Sequence, residues 1–292
     1  VLTDEVARKR LPGAVAVVAR HGKMALFDSV GQLNPSTGEL MHRDARFRIY
    51  SMTKPIVSVA AMMLMEEGSL LLSDPVAKYL DEFAQQQVAV QVGSELQLVP
   101  VRRAATVHDL LRHTAGMTYE FLGSGPVQRQ YAQLRVGSRD RGLAEFTQRL
   151  ASLPLMFEPG SVFEYSRATD VLGRVLEVVS GQPLQSLLRE RIFEPLAMPD
   201  TAFAVPAQHH EHIAEPFLRD PEGGVQMKVI DVRADTALAS GGGGLVSTAL
   251  DYARFLQFML NRGELDGVRL LGPQTVDFMT TDHLGDIAVA SG

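Results

Sequence analysis

The sequence predicts an α+β protein whose sheet begins near the N-terminus and whose remainder is mostly helical. Three observations carry this. A β-branched run from Gly13 to Arg20 is followed by a His21-Gly22-Lys23 turn and a second apolar run from Met24 to Gly31, which together read as an antiparallel hairpin. Ser51-Met52-Thr53-Lys54 opens the longest apolar run of the chain, Ile56 to Met65, which Glu66-Glu67-Gly68 stops. Beyond residue 105, successive segments show helix caps and 3.6-residue apolar spacing.

After the hairpin, the turn formers Asn34-Pro35-Ser36-Thr37-Gly38 make a loop, and Arg46 to Tyr50 leads into the serine. Pro55 lacks an N–H and is tolerated only in an opening turn, so the next helix begins near Ser51 or Met52, and Gly68 marks its end. Ser73 to Leu80 predicts a short capped helix, and Gln85 to Pro100 a polar, irregular stretch. Thr106 and Asp109 form a capping-box start for a short helix that Gly116 closes. Residues 117–142 read as a loop in which Tyr119 and Phe121 are exposed aromatics. Helices are predicted over Leu143 to Leu153, Val171 to Val179 and Leu184 to Ile192, with a turn at Phe157-Glu158-Pro159-Gly160. Ser240-Gly-Gly-Gly-Gly244 is a tight loop, after which Ser247 or Thr248 caps a helix from Ala249 to Asn261.

At 292 residues and 31.9 kDa the chain can bury one large or two moderate cores. With 46% hydrophobic and 21% charged residues it reads as an ordinary globular protein. A net charge of −6 and a pI near 5.8 argue against a nucleic-acid partner. The absence of cysteine removes disulfides, a catalytic thiol and thiolate metal sites. The run from Ile56 to Met65 is too short to cross a bilayer, so no membrane partner is expected. No signal-peptide pattern is seen; a cytoplasmic location is expected, with a periplasmic or secreted one as the alternative.

Residues three apart share a helix face, which places Lys54 one turn above the Ser51 hydroxyl. The unpaired N–H groups of a first turn favour negative charge, which assists a serine alkoxide and the oxyanion formed by its attack. A lysine serves as the base only where burial or nearby cations lower its pKa. With 5 Lys and 17 Ser in 292 residues, chance supplies roughly 0.3 Ser-x-x-Lys matches per chain. Context therefore decides: a core helix normally keeps its charges outward, whereas Lys54 stands where an apolar helix turns inward.

Several stretches resemble the serine β-lactamase-like superfamily, and within it the class C β-lactamase-like, or family VIII, carboxylesterases. They are Ser51-x-x-Lys54, Asp74-Pro75-Val76, Leu110 to Met117, Phe157-x-Pro159-Gly160 with Tyr165-Ser166, Pro195 to Thr201, and Gly242 to Thr248. The resemblance implies an antiparallel sheet flanked by helices, a mostly helical second domain, and an active site in the cleft between them. It divides the chain into 1–75, the hairpin and nucleophile helix; 76–270, the helical domain; and 271–292, the start of a return to the sheet. It also implies an acyl-enzyme mechanism without metal or organic cofactor. Carried over by position, Ser51 is the nucleophile, Lys54 the general base and Tyr165 a second general base and acid. Tyr119, Phe121, Arg167 and Gly243 are the candidate substrate-binding residues.

Two departures stand out. The family's Tyr-x-Asn is Tyr165-Ser166-Arg167 here, which is more in keeping with an esterase than with efficient β-lactam hydrolysis. Arg167 either contacts substrate or is solvated, and the solvated reading is preferred. The late Lys-Thr-Gly or Trp-Gly-Gly motif is missing, and His283-Leu284-Gly285 is read as a decoy because no β-branched strand precedes it. The final strands of the sheet are therefore expected on a separate, cleaved or unrecorded C-terminal segment, since the hairpin would otherwise keep an open edge.

Other constellations are weaker. His209-His210-Glu211-His212 is not His-Glu-x-x-His, because position 214 is Ala, and it reads as a solvated loop; no metal is expected. There is no Gly-x-Ser-x-Gly elbow. The sequence thus predicts a serine hydrolase acting on small esters of short-chain acids. The alternatives are a penicillin-recognising β-lactamase or D-alanyl-D-alanine peptidase, an acyltransferase, and a silent binding protein on the same fold.

Overall fold

The computed structural model describes residues 1–93 and 95–290. The chain opens with α1 (Leu2–Ala7), β1 (Gly13–Arg20), β2 (Lys23–Asn34), β3 (Glu39–Leu40) and β4 (Arg46–Arg48), then α2 (Thr53–Glu66), β5 (Gln87–Val92) and β6 (Glu95–Pro100). The middle holds α3 (Val107–Leu111), α4 (Pro126–Gln133), α5 (Leu143–Ala151), β7 (Val162–Phe163), α6 (Ala168–Ser180) and α7 (Leu184–Leu188). It ends with β8 (Val246–Thr248), α8 (Ala249–Leu260), β9 (Glu264–Leu265), β10 (Val268–Arg269), α9 (Pro273–Met279) and β11 (Ala288–Val289). Residues 291 and 292 of the expected return segment lie outside the described residues. Among the described residues no helix is long and apolar enough to cross a membrane.

By internal contacts the chain forms two units. One comprises Val1–Tyr50, Phe193–Asp235 and Leu245–Arg269; the other comprises Ser51–Ile192, Thr236–Gly244 and the chain from Leu270 onward. This grouping differs from a division at residues 75 and 270, because α2 packs against α6 and α7 and so sides with the helices.

In the first unit β1 pairs antiparallel with β2, Gly13 facing Gly31 and Arg20 facing Lys23, and β3 extends the sheet to three strands. A bulge at Val18/Ala19 breaks the register near the turn. Helix α8 packs on β1, capped as expected by Thr248, whose hydroxyl accepts from the Asp251 N–H at 3.2 Å. A core of Leu33, Met41 and Ala45 gathers Val15, Phe47 and Ala214, and a second joins Val205, Ile213, Val232 and Val246. β4 pairs antiparallel with β8 between them.

In the second unit α2 is buried on nearly every side, from Ile56, Val57 and Val59 through Leu64, as its unbroken apolar run requires. Helix α6 is the hub on which α2, α3, α5 and α7 pack. It starts three residues earlier than expected and ends at Gly181, left-handed at φ 69°. The Thr106–Asp109 capping box is formed.

Two stretches are corrected. Gln85 to Pro100 is not irregular: Val88, Val90 and Val92 recur at every second position, as do Leu96 and Leu98, and this period of two builds the β5–β6 hairpin. Its base is tied by Ala89 N to Leu155 O at 2.9 Å and Leu155 N to Gln87 O at 2.8 Å. Residues 117–142 are not all loop, because Pro126 opens α4, with Val127 and Tyr131 buried four residues apart on one face.

Candidate active site

Ser51 lies in a 3-10 turn, Tyr50–Met52, that runs directly into α2. The residue before it, Tyr50, holds a left-handed backbone at φ 44°, a conformation that costs a side-chain-bearing residue energy and recurs where a reactive group must be aimed. The helix cap is Met52, which makes no side-chain capping bond, so Ser51 is not occupied as a capping serine. Its residue is exposed, whereas Lys54, one turn later, is buried at 8% exposure.

Three polar groups converge. Lys54 Nζ donates to Ser51 Oγ at 3.2 Å, to Tyr165 OH at 2.7 Å and to the Gly242 carbonyl at 2.6 Å. Tyr165 OH closes the triangle, 2.5 Å from Ser51 Oγ. Among the described residues no carboxylate forms an ion pair with Lys54. Its Nζ instead stands 4.5 Å from the centroid of the Tyr165 ring and 5.7 Å from that of Tyr119.

Tyr165 is positioned from below by His113. The Ser166 N–H donates to His113 Nδ1 at 3.3 Å, which leaves the ring proton on Nε2, and the imidazole lies 5.0 Å from the phenol ring. Burial, with Lys54 adding to it, pushes the His113 pKa down to about 4. This histidine belongs to the Leu110-to-Met117 stretch, whose Gly116 is left-handed at φ 81°, and a Cβ there would collide with the Phe157 carbonyl.

The Gly242 carbonyl is held in turn by Asp170. Asp170 Oδ1 accepts from Gly242 N at 2.9 Å and from Ser240 Oγ at 2.5 Å. Asp170 is fully buried, and Arg167 Nη1 stands 3.5 Å from its Oδ2. Arg167 also forms an ion pair with Glu120 and lies 4.7 Å over the Tyr119 ring.

The structure brings Ser51, Lys54 and Tyr165 together and corrects two of the peripheral residues. Arg167 is not solvated: its side chain is 12% exposed and committed to Glu120 and Asp170. Tyr119 is buried at 5%, stacked 4.7 Å from Phe121, and only Phe121 is open to solvent at 68%. Burial, with Asp170 adding to it, holds the Tyr119 phenol far above its ordinary pKa. At the glycine loop the contact with Lys54 comes from Gly242, one residue before Gly243. His283 lines a separate cavity of about 110 Å³ with Ser58, Met62 and His108, which includes none of the three converging side chains. Beside Tyr165 lies a larger cavity, about 580 Å³, walled by Leu122, Met156, Phe157, Val162 and Phe163.

The chain matches the Beta-lactamase family model over residues 1–286. It is 38% identical over 280 residues to esterase EstB of Burkholderia gladioli, covering 88% of this chain and 68% of that one. Among solved structures it is similar to EstCE1, described as a hydrolase with promiscuous acyltransferase activity, at TM-score 0.79 and 27% identity over 99% of this chain and 78% of that one. It is also similar to the simvastatin synthase LovD of Aspergillus terreus, at TM-score 0.78 and 28% identity over 98% of this chain and 72% of that one.

Proposed function

The chain belongs to the Beta-lactamase family, and from that premise we propose that it is a serine carboxylesterase working through an acyl-Ser51 intermediate. The single observation that carries this is the closed triangle of Ser51 Oγ, Lys54 Nζ and Tyr165 OH. The relay runs when Nζ keeps two protons, directed at Ser51 Oγ and the Gly242 carbonyl, and turns its lone pair to Tyr165 OH: the Ser51 proton passes to the Tyr165 oxygen while the phenol's own proton moves to Nζ. Ser51 Oγ attacks the ester carbonyl, and the leaving alkoxide takes a proton back through Tyr165. Water then adds to the acyl carbon as it loses its proton to the relay, and the relay returns that proton to Ser51 Oγ as the acyl–Oγ bond breaks and the acid leaves. Tyr165 also lines a mostly apolar cavity of a volume suited to a small organic group, which supports a small ester as the substrate.

Replacing Ser51 with Ala tests the reading directly. Hydrolysis of a chromogenic short-chain ester is expected to vanish, and the acyl mass adduct formed by the wild-type protein with it; full activity in Ser51→Ala would end the proposal. Acyl transfer is the second reading, favoured by the relatives described as acyltransferases. An added alcohol that diverts acyl product from acid to ester would support it.

A further inference from the structure

In the unit that lacks the serine, one group of histidines and carboxylates converges across segments far apart in sequence. His42 and Asp44 lie on the connection from β3 to β4, and His212 ends the 3-10 turn Ala207–His212. Asp44 faces a different imidazole with each oxygen: Oδ1 is 3.0 Å from His42 Nδ1 and Oδ2 is 2.9 Å from His212 Nδ1. One donor atom from each of the three residues can be chosen so that all lie within 4.8 Å of one another. The two rings stand edge to face, 5.0 Å apart. His212 Nδ1 is shielded from water, and its approach to Asp44 is not aligned as a hydrogen bond.

The far nitrogens have partners of their own. His212 Nε2 is 3.5 Å from Glu211 Oε1 and His42 Nε2 is 4.0 Å from Glu39 Oε1. His42 Nδ1 hydrogen-bonds Asp44 Oδ1 at 3.0 Å, so an ion held by that nitrogen takes the place of its proton, which moves to Nε2 on the side of Glu39. Zinc bonds of about 2.0–2.2 Å in tetrahedral geometry call for donors roughly 3.3 Å apart; each histidine stands about 3 Å from one Asp44 oxygen, and the three donors lie within 4.8 Å of one another.

We propose that His42, Asp44 and His212 form a site for a divalent transition-metal ion of the zinc type, with water in the remaining position. Two imidazoles and one carboxylate suit zinc rather than calcium or magnesium, which prefer all-oxygen shells. The ion joins the strand entry at residues 42–44 to residue 212, beside the contact of Ala214 N with Arg46 O at 2.9 Å. Its role is to clamp these two segments, and it takes no part in ester chemistry.

The test uses untagged full-length protein, freed of metal with a chelator and titrated with zinc chloride by calorimetry while thermal unfolding is followed. One zinc per chain is expected to bind and raise the unfolding temperature. His42→Gln, Asp44→Asn and His212→Gln should each weaken binding by about tenfold or more, whereas His209→Gln and His283→Gln should leave it unchanged. Circular dichroism identifies any variant that fails to fold, and the remaining ones decide. No binding to the wild-type protein, or binding that the three variants leave unaltered, would overturn the proposal.

Discussion

Tyr165 presents its hydroxyl 2.5 Å from Ser51 Oγ, whereas Lys54 Nζ stands 3.2 Å away from the same oxygen. The phenol is thus the nearer proton acceptor and the amine lies behind it, 2.7 Å from the phenol. Removing the hydroxyl in Tyr165→Phe leaves the packing against His113 and breaks the relay. The kcat for a short-chain ester should fall roughly 10²- to 10⁴-fold with little change in KM, as steady-state hydrolysis would measure.

Lys54 cannot be shortened without isolating the phenol. In Lys54→Met the apolar stem is retained within α2 while the Ser51, Tyr165 and Gly242 contacts all disappear. The variant should fold, by circular dichroism, and yield no acyl adduct by mass spectrometry. Acylation at the wild-type rate would remove the amine from the mechanism.

A methyl group at residue 242 provides a finer probe. A Cβ there would meet Asp170 Oδ2 at 2.8 Å and Oδ1 at 3.1 Å. Either the peptide or the Asp170 carboxylate must shift, and because that carboxylate holds Gly242 N, the carbonyl that accepts from Lys54 is displaced in both cases. Gly242→Ala is expected to lower kcat by roughly a hundredfold, in keeping with the cost of misplacing a catalytic group by about 1 Å.

Arg167 is structural by this geometry. Arg167→Ala would strand Glu120 and the fully buried Asp170 without their cation, and a loss of about 3 kcal/mol in urea-unfolding free energy is expected. A change below about 1 kcal/mol would mean that the ion pairs contribute little.

His113 makes stability depend on pH. Its folded pKa, about 4, lies below the ordinary 6.5, so between these values the unfolded chain binds a proton that the folded chain refuses. The contribution is present in full above pH 6.5 and is lost as pH falls towards 4, on the order of 3 kcal/mol over the window. Urea unfolding at pH 7.5 and pH 5 should show the loss, and His113→Gln should flatten it.

The Ser51–Lys54 pair was legible from local spacing, whereas Tyr165, 111 residues from Lys54, came only through the family resemblance. Helical spacing puts Lys54 over Ser51, and the Tyr165-Ser166 pair follows a recognisable turn and precedes an apolar helix. The third partner of Lys54 was not legible, since a backbone carbonyl carries no residue-type signature; Gly243 was one position away from it. Arg167 was misread because a charge before a helix ordinarily faces water. The available signal was Asp170 at i+3, a spacing that pairs charges on one helix face. The β5–β6 hairpin was obscured by its glutamines and by Ala89 and Val99, which interrupt the alternation, although Val88, Val90 and Val92 keep a period of two. The His42–Asp44–His212 group could not be found by motif, because its members come from two distant segments.

That the Lys54 amine is steadied by a main-chain oxygen at Gly242 has a consequence for how this scaffold can diversify. A peptide carbonyl survives every side-chain replacement at its own position, so no single codon change there can delete that anchor; it can only be displaced. Side chains that wall the neighbouring cavity, such as Leu122 and Met156, can change its shape while that anchor stays in place.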